Sequence, residues 1–148
     1  MLGQYDGTGG NVHIIVGLSA TEGSPGHDIV VKAQVVNESL QPVTYVTGCS
    51  AGPAIRIAIL ADGETQPFDP CSCSTPCPRP ACADQMETLV RGGTVEGAAT
   101  FDGTRLNCDG AFSAPPGRYT VVATFVGKGS NSRTITLSDS KTFDWSAR

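Results

Sequence analysis

The sequence predicts an all-β fold: an immunoglobulin-like antiparallel β-sandwich of seven to eight strands carrying a long disulfide-stapled loop. Three observations carry this reading. Short runs rich in β-branched and aromatic residues recur between clusters of Gly, Pro, Asn and Asp. The 148 residues include 18 Gly and 10 Pro, too many for long helices, where each costs roughly 1 (Gly) to 3 (Pro) kcal/mol relative to Ala. Several runs also return an apolar residue at every second position, the period of a strand with one face in the core.

Taken in order, the expected strands are 12–18, 29–36, Val43–Thr47, 55–60, 86–90, 95–101, 118–126 and Thr134–Trp145. In the second, Val31, Ala33 and Val35 oppose Val30, Lys32 and Gln34. In the fourth, Ile55, Ile57 and Ile59 oppose Arg56 and Ala58, so the isoleucines belong to the core face. Asp62-Gly63 ends that strand and Asp102-Gly103 ends the sixth, both dipeptides that accept positive φ. Pro115-Pro116-Gly117 bends the chain into a long strand in which Tyr119, Val121, Ala123 and Phe125 face inward. Tyr119 is read either as a corner tyrosine reaching back to a backbone carbonyl or as a half-buried strand aromatic. The closing Thr142, Phe143, Asp144 and Trp145 read as a final edge strand whose aromatics cap the core. No tryptophan lies between two suitably spaced cysteines, so the antibody hallmark is missing.

Residues 12–148 form the sandwich domain in this reading, and residues 1–11 a flexible N-terminal tether. A content of 39% hydrophobic residues suits one packed core and contains no run long enough to span a membrane. The formal net charge of −4 gives no attraction to nucleic acid or anionic lipid. Neither is an expected partner.

Of the six cysteines, Cys71, Cys73, Cys77 and Cys82 cluster in a Ser/Pro-rich stretch, with Cys49 and Cys108 alone on either side. Disulfides are favoured over zinc, because C-x-C-x3-C-x4-C lacks the paired C-x2-C knuckles of zinc sites and neither His13 nor His27 is near in sequence. The pairing is not deducible from sequence; Cys49 and Cys108 are expected to tie the loop, or each other, to the body. Such a framework requires an oxidising compartment, so the protein is expected to be secreted or held in a bacterial cell envelope. The first residues lack a basic start and an apolar run. The expectation is therefore a signal sequence or a lipid-bearing cysteine upstream, with the tether behind it.

No reaction machinery is visible. The chain has no G-x-S-x-G elbow, phosphate-binding glycine loop or H-E-x-x-H pair. His13 reads as a strand residue and His27 as a turn residue; Asp62, Glu64 and Asp69 read as a solvated turn rather than a calcium loop. No catalytic residue, cofactor or metal is expected. What stands out is the stretch 61–85, long for a connection in a compact domain. Its tip, with Thr75, Pro76, Pro78, Arg79 and Pro80 between cysteines, would be nearly pre-organised and so lose little entropy on binding. Arg79 is its single charged side chain. The blander reading is a stapled loop that covers a sheet edge.

The series Val35-Val36-Asn37-Glu38-Ser39, Pro42-Val43, residues 55–63 with their Asp-Gly turn, Leu89 to Gly93, and Pro116-Gly117-Arg118-Tyr119-Thr120-Val121 resembles the intracellular proteinase inhibitor (BsuPI-type) family. The family runs through "N-x-S" after a valine strand, a "DG" hairpin, "L-x-x-G" and a closing "P-G-x-Y-x-V". The resemblance implies an immunoglobulin-like sandwich and inhibition of a serine protease. It offers no inhibitory motif to place residue by residue, and the cysteine-rich insertion departs from the family pattern. The expected function is therefore a non-catalytic exported binding or structural module acting on a protein partner. The alternative is a proteinase inhibitor that presents the loop around Arg79, with a serine protease as partner.

Overall fold

A computed structural model describes residues 4–5, 11–49, 51–73 and 83–148. Twelve strands appear among them: β1 (Gln4–Tyr5), β2 (Asn11–Leu18), β3 (Glu22–Gly23), β4 (Ile29–Asn37), β5 (Val43–Thr47), β6 (Ile55–Ala61), β7 (Gln85–Leu89), β8 (Thr94–Phe101), β9 (Thr104–Asn107), β10 (Gly110–Ser113), β11 (Gly117–Lys128) and β12 (Thr134–Trp145). A 3-10 turn, Pro70–Ser72, is the only helical element described, and no helix is long and apolar enough to cross a membrane.

The architecture is the expected antiparallel sandwich. One sheet runs β1-β2-β4-β8; the other runs β3-β12-β11-β5-β7, with β6 also paired to β11. All eight expected strands are present, within two residues at each end. The four additional ones are short: β1 and β3 are two-residue additions at sheet edges, and β9 with β10 makes a separate hairpin. β1 lies within the expected tether, where Gln4 and Tyr5 pair with Val12 and Asn11. β12 carries β11 along its whole length and the parallel β3 at Asp144 and Trp145, so it is not a bare edge.

Inward alternation builds the core. Val31, Ala33 and Val35 of β4 meet Tyr119, Val121, Ala123 and Phe125 of β11, all buried, while Val30 and Val126 stay exposed. Ile55 is buried and Ile57 and Ile59 pack partly buried against the same cluster. At about 25 cal/mol per Å² of apolar area removed from water, such burial is the main drive for folding. The long side between β2 and β12 is closed by a polar link, the Asp139 carboxylate accepting from Val16 N at 2.9 Å.

The two ends of the sandwich are sealed differently. At one end Phe101 packs against Tyr119, Phe143 and Trp145 with ring centroids 5.0, 5.2 and 4.9 Å away. Tyr119 is a corner tyrosine, its hydroxyl donating to Pro115 O at 2.6 Å. Gly103 turns there with φ of 88°, and a Cβ at that position would lie 2.4 Å from the Trp145 ring. At the other end Asn37 and Ser39 are fully buried polar residues. Asn37 Nδ2 donates to Gln41 O and Leu89 O, each at 2.9 Å. Asn37 Oδ1 accepts from Ser39 N at 2.9 Å and from the Ser39 hydroxyl at 2.6 Å. The Asn37 backbone completes the tie through Gly93 O and Gly92 N.

Candidate functional site

The loop-tip residues Thr75, Pro76, Pro78, Arg79 and Pro80, with Cys77 and Cys82, lie outside the described residues. The flanks of that loop are described and are fastened. Cys73 is bonded to Cys108, with a Cα–Cα distance of 5.3 Å, which joins the loop to the β9–β10 hairpin. Cys49 and Cys71 are also disulfide-bonded, and no described cysteine is free. Asp69 caps the 3-10 turn by accepting from Cys71 N. Glu64, at the start of the loop, accepts from Arg105 of β9 at 2.7 Å. The hydrogen bond from Arg105 holds the Glu64 carboxyl below its ordinary range, helped by Ala61 N and the Arg105 charge and opposed by burial. The hairpin is thus anchored to the loop twice, covalently and ionically, which a two-stranded ribbon needs because alone it is marginal in water.

The remaining sequence candidates are placed as follows. His13 pairs with Glu38 at 3.0 Å, and His27 Nδ1 lies 3.2 Å from the Ser24 hydroxyl in its turn. No group of three or more His, Cys, Asp or Glu that could hold a metal ion occurs among the described residues.

The concavity that the alternation pattern did not reveal lies on the outer face of the second sheet. β6 pairs with β11 from Tyr119 to Phe125, and β5 meets β11 only at Lys128. On that side Val126 and Gly127 have no strand partner, and the chain between β5 and β6 bows away around Gly48 and Gly52. The gap is a groove of about 580 Å³. Its apolar lining includes Val46, Met86 and Val126, with exposures of 44%, 72% and 55%. Arg56 and Lys128 also line it, and no Asp or Glu does among the described residues.

Local sequence explains each part. Pro53 supplies no N–H to extend β6 along β11. Gly127 permits close approach of β5, since a Cβ there would lie 2.8 Å from a Val43 methyl and 2.9 Å from Thr44 O. Asp84 holds the outer wall by accepting from Ala51 N at 3.2 Å, and Arg56 donates to Ala51 O. Tyr45 forms part of the lining and packs edge-on against Phe125 at 5.5 Å. Burial, followed by the nearby Glu87 charge, raises the pKa of its phenol, which stays protonated. The site therefore offers apolar surface, hydroxyls from Thr44, Thr124 and Thr134, and two cations. Among the described residues it presents no nucleophile with an adjacent base.

No model of a known protein family matches the chain, and no curated protein does. Among solved structures, it is similar to a β-glucosidase from Erythrobacter marinus, with 12% identity and a TM-score of 0.49 over 91% of this chain and 16% of that one. A β-glucosidase from Listeria innocua aligns with 13% identity and a TM-score of 0.44, over 92% and 16%. The sporulation control protein Spo0M from Bacillus subtilis aligns with 11% identity and a TM-score of 0.37, over 94% and 51%. The chain thus spans about a sixth of the length of the glucosidases it matches, and nothing of their activity is carried over to it.

Proposed function

We propose that this protein is a non-catalytic, exported recognition module of a bacterial cell envelope, in which a rigid sandwich presents a binding surface to a protein partner. The observation that carries the reading is the groove beside β11, where three large apolar side chains stay exposed next to two cations on an otherwise regular sandwich. A concave, largely apolar surface with a few polar groups is the usual form of a binding site. The disulfides at Cys49, Cys71, Cys73 and Cys108 support export, because such bonds persist in oxidising compartments.

The test has two parts. In the cells that make it, the protein is expected in the secreted or envelope fraction, with every cysteine refractory to alkylation until reduced; a cytosolic pool with free thiols would refute export. A photo-crosslinking side chain at Met86 is expected to give one protein adduct of defined mass, and the same group at Glu96 none. Identical labelling from both positions, or none from Met86, defeats the recognition reading.

A further inference from the structure

We infer that the groove binds an extended peptide whose contacting face reads acidic, apolar, acidic at alternate positions; this rests on the recognition reading above and names the chemistry of its partner. Shape is the first argument. The side chains of Thr124, Val126 and Lys128 share the outer face of β11, as alternate residues of a strand must, and Arg56 stands beside Thr124 in the β6 register. The two cations are therefore anchored four residues apart along β11, about 14 Å at the strand rise of roughly 3.4 Å per residue, with exposed Val126 between them. An extended chain repeats its own side chains on one face with the same period, so carboxylates at its first and fifth positions and an apolar side chain at its third match Arg56, Lys128 and Val126.

Charge is the second argument. The chain carries 14 acidic and 10 basic residues, yet the described lining residues include Arg56 and Lys128 and no Asp or Glu, and the Asp84 carboxylate at the wall is turned to Ala51 N. Neither cation has a carboxylate partner among the described residues. The lining is thus positive within an acidic protein and favours an anionic occupant. A second copy seated face to face would oppose these cations to themselves, which is repulsive. Two cations are too few to hold a polyphosphate backbone against a net charge of −4.

The probe is a blocked peptide, Ser-Glu-Thr-Leu-Thr-Glu-Ser, titrated into the isotope-labelled full chain at low ionic strength and followed by amide shifts. Saturable shifts are expected at Val46, Met86, Val126 and Lys128. Replacing both Glu by Gln in the peptide, or Arg56 and Lys128 by Gln in the protein, is expected to weaken binding about fivefold, as two exposed ion pairs would. Added salt should erode the difference. Unchanged shift dispersion in the R56Q/K128Q variant shows that the fold is intact. Equal binding of Glu and Gln peptides, shifts confined to another surface, no shift at millimolar peptide, or self-association through this face each overturns the inference. If the peptide fails while the Met86 crosslink still gives its adduct, the recognition reading stands and only the acidic-peptide assignment falls.

Discussion

The ends of the sandwich differ in chemistry, one at Phe101 opposite Ile29 at the start of β4 and the other at Asn37 at its end. One is closed by Phe101, Tyr119, Phe143 and Trp145, four rings that touch one another edge-on, tilted or stacked. The other is closed by Asn37 and Ser39, which tie β4 to the β5 start and to the end of β7 through directed hydrogen bonds. Dispersion and burial are non-directional, so an aromatic cluster can relax around a smaller apolar residue. A buried amide cannot do this, because each lost partner leaves a polar group dry. The aromatic end should therefore respond to lost volume, and the polar end to lost pattern.

The largest expected effect tests the first half of that contrast. Phe101→Ala removes the ring that contacts the other three and should destabilise the protein by about 3–5 kcal/mol, read as a fall in the urea midpoint with unchanged slope. Phe101→Leu should recover more than half of the loss. Equal losses for Ala and Leu would mean that ring geometry, rather than volume, holds this end.

Next in size is the polar end. Asn37→Ala strands buried or half-buried groups of Ser39, Gln41 and Leu89 and should cost about 2–4 kcal/mol. Asn37→Asp keeps the volume but sets a carboxylate against the carbonyls of Gln41 and Leu89, so it should be no better than Ala in the same urea titration at neutral pH. Recovery by Asp would show that shape alone matters there and would erase the distinction between the ends.

A smaller effect separates the two roles of one residue. Tyr119→Phe keeps the ring among its neighbours but removes the 2.6 Å bond to Pro115 O, and about 1 kcal/mol should be lost. A loss as large as that of Phe101→Ala would assign the corner bond, not the stacking, as the main seal.

These ends also show what the chain made readable. Alternation in 29–36, 55–60 and 118–126 identified the strands and their inner faces, because a period of two is local information. The motifs "N-x-S" and "L-x-x-G" were visible as well, yet their meeting was not: Asn37 bonds to Leu89 O across 52 residues, a contact set by topology. Likewise the β9–β10 hairpin was hidden, since its two strands are only four residues long and carry no run of alternating apolar residues. The groove escaped for a related reason. It arises where the β6 ladder along β11 ends at Phe125 and β5 rejoins at Lys128, a change of partner that joins Pro53, before β6, to the close approach of β5 at Gly127, which no single stretch reveals.

The smallest effect concerns the ionic tie beneath the aromatic end. Arg105 lies over the Tyr119 ring, 5.6 Å from its centroid, and donates to Glu64. Because the folded state lowers the Glu64 pKa, this pair adds stability above the unfolded carboxylate value, near 4.3, and the contribution disappears as pH falls through the lowered folded value. The Glu64 side chain is 40% exposed, so solvent screens the pair and the gain is a few tenths of a kcal/mol. Glu64→Gln should lower the urea midpoint slightly at pH 7, and the two proteins should converge at acid pH. A gap that persists in acid would show that Glu64 acts through packing. In that case the ionic tie would add nothing to the Cys73–Cys108 bond that already fixes the hairpin.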